Sequence, residues 1–180
     1  MQYMKTKQKN LLLTVVLLVL SSCGGDWMKK HKIGDNYYFT YDSSWVFAYI
    51  ISTTNGIIVD MEVVAWNFDS TFIIAKQKPF RAISDSLHSK YPNLPSNKRD
   101  KMYNEIKVYN YWIIDKREEL KSYFDEEKRK RVYTRGLYGP FTREEYWEKR
   151  RELGVQDSLR LRETRWRGRP LVRTQQAVIE

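Results

Sequence analysis

Apolar and polar residues alternate along much of residues 36–77, and this period of two indicates β-strands. A short strand is expected at 37–41, and residues 45–51 are apolar on both faces, which is typical of a central strand. Asn55-Gly56 then favours a type I′ turn, because both central positions of that turn need positive φ. Residues 57–65 follow as a half-buried partner strand. The predicted meander is completed by a turn at 67–70 and a strand at 71–77.

Helical spacing replaces this alternation in parts of the second half of the chain. Residues 80–91 place apolar side chains on one helical face before Pro92. Thr142 and Glu145 fit a capping box at the start of another helix, and Gly154 fits its end. The other expected elements are a helix at 96–105, a strand at 108–115, a surface helix at 117–131 and a turn at 138–141. Together the patterns predict an α+β fold, with an antiparallel meander sheet of about four to five strands and two to four helices.

The N-terminus has the order of an export signal. Residues 1–10 are basic and contain no acid, and residues 11–20 form the apolar run LLLTVVLLVL. Ten helical residues span about 15 Å, which is half the thickness of a bilayer core. The run is therefore too short for a stable membrane span. It predicts a signal helix within a signal peptide at residues 1–22.

The segment Leu20-Ser21-Ser22-Cys23 resembles the lipobox of bacterial lipoproteins, in which an aliphatic residue and small residues precede a cysteine. This resemblance implies diacylglycerol on the Cys23 sulfur and cleavage before Cys23, often with a further acyl chain on its new amine. The membrane is then the predicted partner, through the lipid on Cys23, outside the cytoplasm. Gly24 rather than an aspartate follows the cysteine, and by the same resemblance this favours the outer membrane where the cell has one.

Charge helps to divide the rest of the chain. The net charge is +10, of which three signal lysines and a net +5 from Lys149 onward make up most. The stretch at 23–148 keeps only +2, and export removes the protein from the cytoplasm, so no nucleic-acid partner is predicted. We expect a tether at 23–35, an α+β domain at 36–155 and a poorly ordered basic tail at 156–180. That tail is either a disordered arm, which contacts anionic headgroups or is only solvated, or a sequence that does not belong to this domain, such as the product of a displaced reading frame.

From about residue 45 to residue 155 the chain resembles a group of small bacterial lipoproteins of unknown function. The segments that carry the resemblance are TFIIAKQ at 71–77, YWIIDK at 111–116, Tyr138-Gly139-Pro140 and Glu152-Leu153-Gly154-Val155. The resemblance implies a compact domain tethered to a membrane. It implies no activity, ligand or site.

Catalytic and metal-binding patterns are sparse. The single cysteine lies at the processing site and there are two histidines, which excludes a zinc site of the Cys/His type. No glycine-rich phosphate loop and no calcium loop is present, so neither a metal nor a cofactor is predicted. An envelope hydrolase that uses His88, or the carboxylate pair Asp60 and Glu62, is the enzymatic alternative.

Tyrosines suggest a binding surface instead. Exposed aromatic rings bind glycans, peptides and proteins by stacking and apolar burial, although strands also use such rings in their cores. The predicted function is a lipid-anchored, non-enzymatic binding or inhibitor module for an envelope protein or a cell-wall ligand. A structural envelope component is the remaining alternative. The candidate binding surface consists of Tyr37, Tyr38, Tyr41, Tyr109 and Tyr111.

Overall fold

The computed structural model of the chain describes residues 28–42, 47–127 and 129–164. Several predicted features lie outside these residues: the signal peptide at 1–22, the lipobox with Cys23, the start of the central strand at 45–46 and the tail at 165–180. None of the described helices is long and apolar enough to cross a membrane.

The described residues fold into antiparallel sheets and three helices, which confirms the α+β class. A four-stranded sheet has the order β1 (Lys29–Gly34), β2 (Tyr37–Tyr41), β3 (Tyr49–Ser52) and β4 (Gly56–Val59). A five-stranded sheet has the order β10 (Leu137–Phe141), β7 (Asn110–Asp115), β6 (Phe72–Gln77), β5 (Val63–Phe68) and β11 (Arg162–Glu163). Strand β8 (Lys121–Asp125) pairs with β9 (Lys130–Arg135), and the helices are α1 (Phe80–Lys90), α2 (Ser96–Glu105) and α3 (Arg143–Leu153).

The five-stranded sheet lies between the four-stranded sheet and helix α3. Successive side chains of a strand point to opposite faces. Ile73 of β6 accordingly belongs to the core shared with the four-stranded sheet, and its neighbour Ile74 belongs to the core that contains Tyr146 of α3. Both isoleucines have no exposed surface. Because both faces of β6 are covered, its sequence is a continuous apolar run rather than an alternating one.

The predicted hairpin around residue 55 is confirmed, but its turn differs from the expected type. Ser52 pairs with Gly56, so residues 53–55 form the loop and Gly56 has a φ of 72°. The strand predicted at 57–65 is wrong as one element: β4 ends at Val59, and β5 begins in the other sheet at Val63. Glu62, with a φ of 66°, lies in the link where the chain changes sheets.

The surface helix predicted at 117–131 is also wrong, because this segment contains β8 and the start of β9. Lys, Arg and Glu are good helix formers, and the spacing of Leu120, Tyr123 and Phe124 matches a helix face. Tertiary packing overrides that preference. Leu120 and Tyr133 pack against the core between the two large sheets, and Tyr133 does so as part of β9.

The boundaries of the domain are wider than predicted. Residues 29–34, expected within the tether, form β1, and Ile33 is fully buried. At the other end, Leu159 is 5 % exposed, and Arg162 pairs with Trp66 of β5. The turn predicted at 138–141 lies within the edge strand β10. Each of these segments is short, and each is held through one buried side chain or through pairing with a neighbouring strand.

Local signals for the helices are confirmed. Helix α1 buries Ile83 and Leu87 on the predicted face. Thr142 and Glu145 form the reciprocal capping box at the start of α3, and Gly154 ends the helix in the left-handed region with a φ of 72°. These signals depend only on residues within one or two turns, which explains why the sequence alone was sufficient to recognise them.

Candidate functional site

The three predicted binding tyrosines of β2 point to different faces of the four-stranded sheet. Tyr37 belongs to the core between the sheets, is 8 % exposed, and has its pKa raised by burial. Tyr41 lies four residues further along on the same face and packs against that core. Tyr38 lies between them in sequence, so its side chain is on the outer face of the sheet.

The two tyrosines near β7 belong to the other sheet. The ring of Tyr111 lies 5.1 Å from the ring of Tyr146 in the core under α3, and burial raises the pKa of Tyr111. Tyr109 lies under Lys76, whose Nζ is 4.0 Å from the ring centroid, and burial raises the pKa of Tyr109 as well. The five tyrosines therefore do not form one exposed surface.

The candidate catalytic residues lie in separate environments. His88 is exposed, and its Nδ1 lies 2.9 Å from Nη1 of Arg99 rather than beside a carboxylate. Asp60 forms an ion pair with Arg81 at 3.0 Å, and Glu62 is buried with 2 % of its surface exposed. Among the described residues, no group of three His, Cys, Asp or Glu side chains could hold a metal ion.

Among the described residues, the most exposed phenylalanine and tyrosine side chains lie on an element that the sequence patterns do not predict. Tyr123 is 54 % exposed and Phe124 is 53 % exposed, and both belong to the β8–β9 pair, residues 121–135, which we term the aromatic hairpin. Two adjacent rings are typical of a strand, and Val132-Tyr133 shortly afterwards is a matching β-branched and aromatic pair. This repeated pair is the signal that could have indicated a hairpin.

The register of the hairpin places its two exposed rings on opposite faces. Tyr123 is opposite Val132, and Phe124 is opposite Arg131. Residues directly opposite each other in an antiparallel pair share a face, and adjacent residues on one strand do not. The guanidinium of Arg131 also donates to Ser122 Oγ at 3.1 Å, on the face of Phe124. One face thus combines a ring with a cation, and the other is apolar at its centre.

Contacts with the body hold the hairpin in place. An isolated two-stranded hairpin is only marginally stable in water. Tyr133 packs against the core between the large sheets, and its hydroxyl donates to the backbone oxygen of Ile57 at 3.3 Å. Burial raises the pKa of Tyr133.

A carboxylate closes the base of the hairpin. Glu118 accepts hydrogen bonds from the Tyr138 hydroxyl at 2.7 Å, the Gly136 backbone N–H at 3.1 Å and Nε of Arg135 at 3.3 Å. The hydrogen bond from Tyr138 contributes most to holding the pKa of Glu118 below its usual value. The same bond raises the pKa of Tyr138 to about 12.

A second carboxylate orders the segment between β7 and the hairpin. Asp115 is buried and accepts two charged hydrogen bonds from Arg117, Nε to Oδ1 at 2.9 Å and Nη2 to Oδ2 at 2.6 Å. These bonds hold the pKa of Asp115 below its usual value. The Arg117 guanidinium also lies 4.8 Å from the ring centroid of Phe72. Charge-assisted hydrogen bonds therefore fix both the segment between β7 and β8 and the segment between β9 and β10.

The Glu118–Tyr138 bond predicts how stability changes with pH. Because the pKa of Glu118 is lowered, its contribution is present above its ordinary pKa and is lost as the pH falls through the lowered value. Because the pKa of Tyr138 is raised, its contribution is present below pH 10 and is lost as the pH rises towards about 12. We expect Tyr138→Phe to lower Tm by roughly 2–4 °C at neutral pH and to weaken the pH dependence in both windows. Thermal unfolding followed by circular dichroism checks this.

Tyr123→Phe is the control for that measurement, because its hydroxyl is on an exposed ring outside the network. It should leave both pH windows unchanged. Equal pH profiles for Tyr138→Phe and the unmodified protein would show that the network does not stabilise the fold.

The hairpin and the N-terminal entry of the chain lie at opposite ends of the body. Strand β1 runs from Lys29 to Gly34, a distance of about 17 Å. Lys116 packs beside Gly34, since a Cβ on Gly34 would lie 3.1 Å from Lys116 Cδ, and β8 begins shortly after Lys116. The contact between Tyr133 and Ile57 lies at this same end, next to the β3–β4 loop.

Comparison with known proteins places most of this domain in one sequence family. A family model described as "Protein of unknown function (DUF3997)" matches residues 35–165, which is more than half of the chain and includes the aromatic hairpin. The match confirms an uncharacterised domain over this range. No curated protein and no solved structure matches the chain.

Proposed function

Because the chain belongs to this family of proteins of unknown function, we propose its role from its own features: it is a lipoprotein whose domain is a non-enzymatic binding module. Cys23 anchors it to a membrane outside the cytoplasm, the outer membrane where the cell has one. The domain binds an envelope protein or a cell-wall ligand. The observation that carries the binding role is the aromatic hairpin, with two rings that are each more than half exposed.

Support for the anchor comes from the order of features before the domain. A basic segment, an apolar run, two serines and the only cysteine of the chain follow one another over residues 1–23. Cys23 and Lys29 are six residues apart, so at most about 20 Å of extended chain separates the acylated sulfur from the first strand. Acyl chains contribute about 0.8 kcal/mol per buried CH₂, so two or more of them hold a protein at a membrane stably.

Support for the binding role comes from the chemistry and position of the hairpin. Aromatic side chains and arginine are enriched at interfaces and at their hot spots. Tyr123, Phe124 and Arg131 present these groups on a two-stranded element that pairs with neither of the large sheets. The hairpin leaves the body at the end remote from Lys29, so a tethered domain presents it away from the bilayer. Inhibition of an enzyme or toxin at the membrane is one specific form of this role.

The anchor is tested by Cys23→Ser in the full chain. We expect the variant to leave the membrane fraction, because no acyl chain is added without the thiol. Ser22→Ala keeps a small residue before the cysteine and should remain in the membrane fraction. A Cys23→Ser protein that stays membrane-bound at the size of the processed form would contradict the anchor.

The binding role is tested by Tyr123→Ser combined with Phe124→Ser in the full chain. Loss of both rings should reduce recovery of crosslinked envelope partners at least about tenfold, since hot-spot side chains contribute about 2 kcal/mol or more each. Phe47→Ser combined with Phe68→Ser is the matched control, because these side chains are 42 % and 37 % exposed elsewhere on the surface. Equal recovery with both double variants, or no specific partner at any salt concentration, would contradict the role.

A further inference from the structure

We propose that the end of the domain nearest to Cys23 rests on the surface of an anionic phospholipid bilayer through exposed lysines. This inference depends on the proposed lipid anchor and adds an orientation to it. We term this region the lysine end; it consists of Lys29, Lys30, Lys98, Lys101 and Lys107.

Strand register defines which parts of the fold share this end with the start of β1. In the four-stranded sheet, pairing places the start of β1, the end of β2, the start of β3 and the end of β4 next to one another. The pairs along this end are Lys29 with Tyr41, Thr40 with Tyr49, and Ile50 with Val59. Asp60 follows directly after β4, and its carboxylate lies 3.0 Å from Nε of Arg81 in the first turn of α1. Helix α1 therefore begins at the same end of the body as Lys29.

A buried lysine and an aromatic contact fix helix α2 to this end. Lys78 directly follows β6, is 6 % exposed, and donates through Nζ to the backbone oxygen of Tyr103 at 2.6 Å. Its ammonium also lies 3.9 Å from the centroid of the Tyr103 ring. The ring of Phe80, in the first turn of α1, lies 5.5 Å from the same ring. These contacts hold the C-terminal turn of α2 where the five-stranded sheet ends.

The outward surface of α2 and the segment after it is basic. No residue of α2 is buried, and Lys98, Lys101 and Lys107 are exposed. Over residues 96–108 four basic residues outnumber the two acids Asp100 and Glu105. None of the five lysines of the lysine end forms an ion pair with another described residue. Lys107 Nζ donates to the backbone oxygen of Asn104 at 3.2 Å, which leaves its charge unneutralised. The charges of all five lysines therefore remain available to the phosphate groups of a bilayer.

The short segment between Cys23 and Lys29 favours a lipid surface as the binding partner of the lysine end. With at most about 20 Å between the acylated residue and Lys29, the lysine end stays within reach of headgroups. Lys29 and Lys30, both exposed, are the first of these charges to meet them. A cation near an anionic leaflet strengthens binding about fivefold, and the anchor supplies a high local concentration of lipid. Val108, 55 % exposed beside Lys107, adds an apolar side chain to this contact.

The test uses the processed chain, residues 23–180, with Cys23→Ser, so that no acyl chain contributes. This chain retains every described strand and helix and both cores. Sedimentation measures its binding to vesicles of phosphatidylglycerol with phosphatidylcholine, and to vesicles of phosphatidylcholine alone. We expect binding only to the anionic vesicles, falling as salt is added.

A pair of charge-matched variants locates the contact. The combination Lys29→Gln, Lys98→Gln and Lys101→Gln should weaken binding to the anionic vesicles on the order of 100-fold. The combination Lys121→Gln, Arg129→Gln and Arg151→Gln removes the same charge from exposed positions on the hairpin and on α3, and should weaken binding less than about threefold. Equal weakening by both sets, no effect of the first set, or no binding of the parent chain would each overturn the proposal.

Failure of this orientation is distinguishable from failure of the anchor. Vesicle binding is measured without acylation, whereas the anchor is tested by the fractionation of Cys23→Ser in cells. A chain that fractionates with membranes through Cys23 but ignores anionic vesicles would overturn the lysine contact alone.

Discussion

Gly139→Ala is expected to destabilise the domain by about 2–5 kcal/mol, the sum of a strained backbone and an overpacked contact. Gly139 has a φ of 128°, a region that residues with a side chain rarely adopt. A Cβ at this position would lie 2.6 Å from the Tyr111 backbone oxygen and 2.9 Å from Cε3 of Trp112. Neither neighbour is free to move, since both belong to β7, and the Trp112 indole donates to Gln77 Oε1 at 2.9 Å. Urea denaturation of the two proteins measures the difference.

Gly56→Ala provides the control for this substitution. Gly56 also has positive φ, at 72°, but a Cβ there would have no atom within 4 Å. This substitution should destabilise the domain only through backbone strain, by about 1–2 kcal/mol. A Gly139→Ala protein no less stable than Gly56→Ala would contradict the close approach of β10 to β7.

Ile73→Ala and Ile74→Ala are each expected to destabilise the domain by about 2–5 kcal/mol, because both remove a fully buried side chain and leave a cavity. The two side chains are consecutive, yet they belong to different cores. A sheet covered on only one face would make one of the two substitutions nearly neutral. Similar losses for both, measured from urea unfolding midpoints, are therefore the expected consequence of the three-layer arrangement.

Ile57→Ala is the matched control for the isoleucine pair. Ile57 lies in β4 and is 52 % exposed, so its truncation should cost less than about 1 kcal/mol. A loss at only one of the buried positions, with the other comparable to Ile57→Ala, would contradict the placement of the five-stranded sheet between two layers.

The sequence was sufficient where a structural signal is local. The capping box of Thr142 and Glu145 and the hairpin around residue 55 depend on a few neighbouring residues, and both are present. The alternation at 57–65 predicts strand correctly at 57–59 and 63–65 but not in the link between them. The alternation does not reveal the change of sheet at Glu62, because apolar residues continue at a period of two on either side of that link.

The aromatic hairpin was missed for a different reason. Its charged residues favour a helix, and the packing of Leu120 and Tyr133 against distant strands decides its structure. Burial likewise explains why the candidate binding tyrosines do not form one surface. Tyr37 and Tyr38 look equivalent in the sequence, but one lies in the core and the other on the outer face of the same strand. Which face of a strand is covered depends on elements far away in the chain.

The proposals assign different tasks to the two ends of the body. Lys29 lies at the end that we propose contacts the bilayer, and the hairpin with Tyr123 and Phe124 lies at the other end. An anchored domain in this orientation keeps its exposed rings away from lipid and available to a partner. Loss of the anchor should leave binding by the hairpin intact in solution while removing it from the membrane.

The mass of the intact protein purified from the membrane fraction tests the anchored role most directly. We predict a polypeptide that begins at Cys23 and carries diacylglycerol on its sulfur. A mass that corresponds to a chain beginning at Met1, or to an unmodified Cys23, would contradict it.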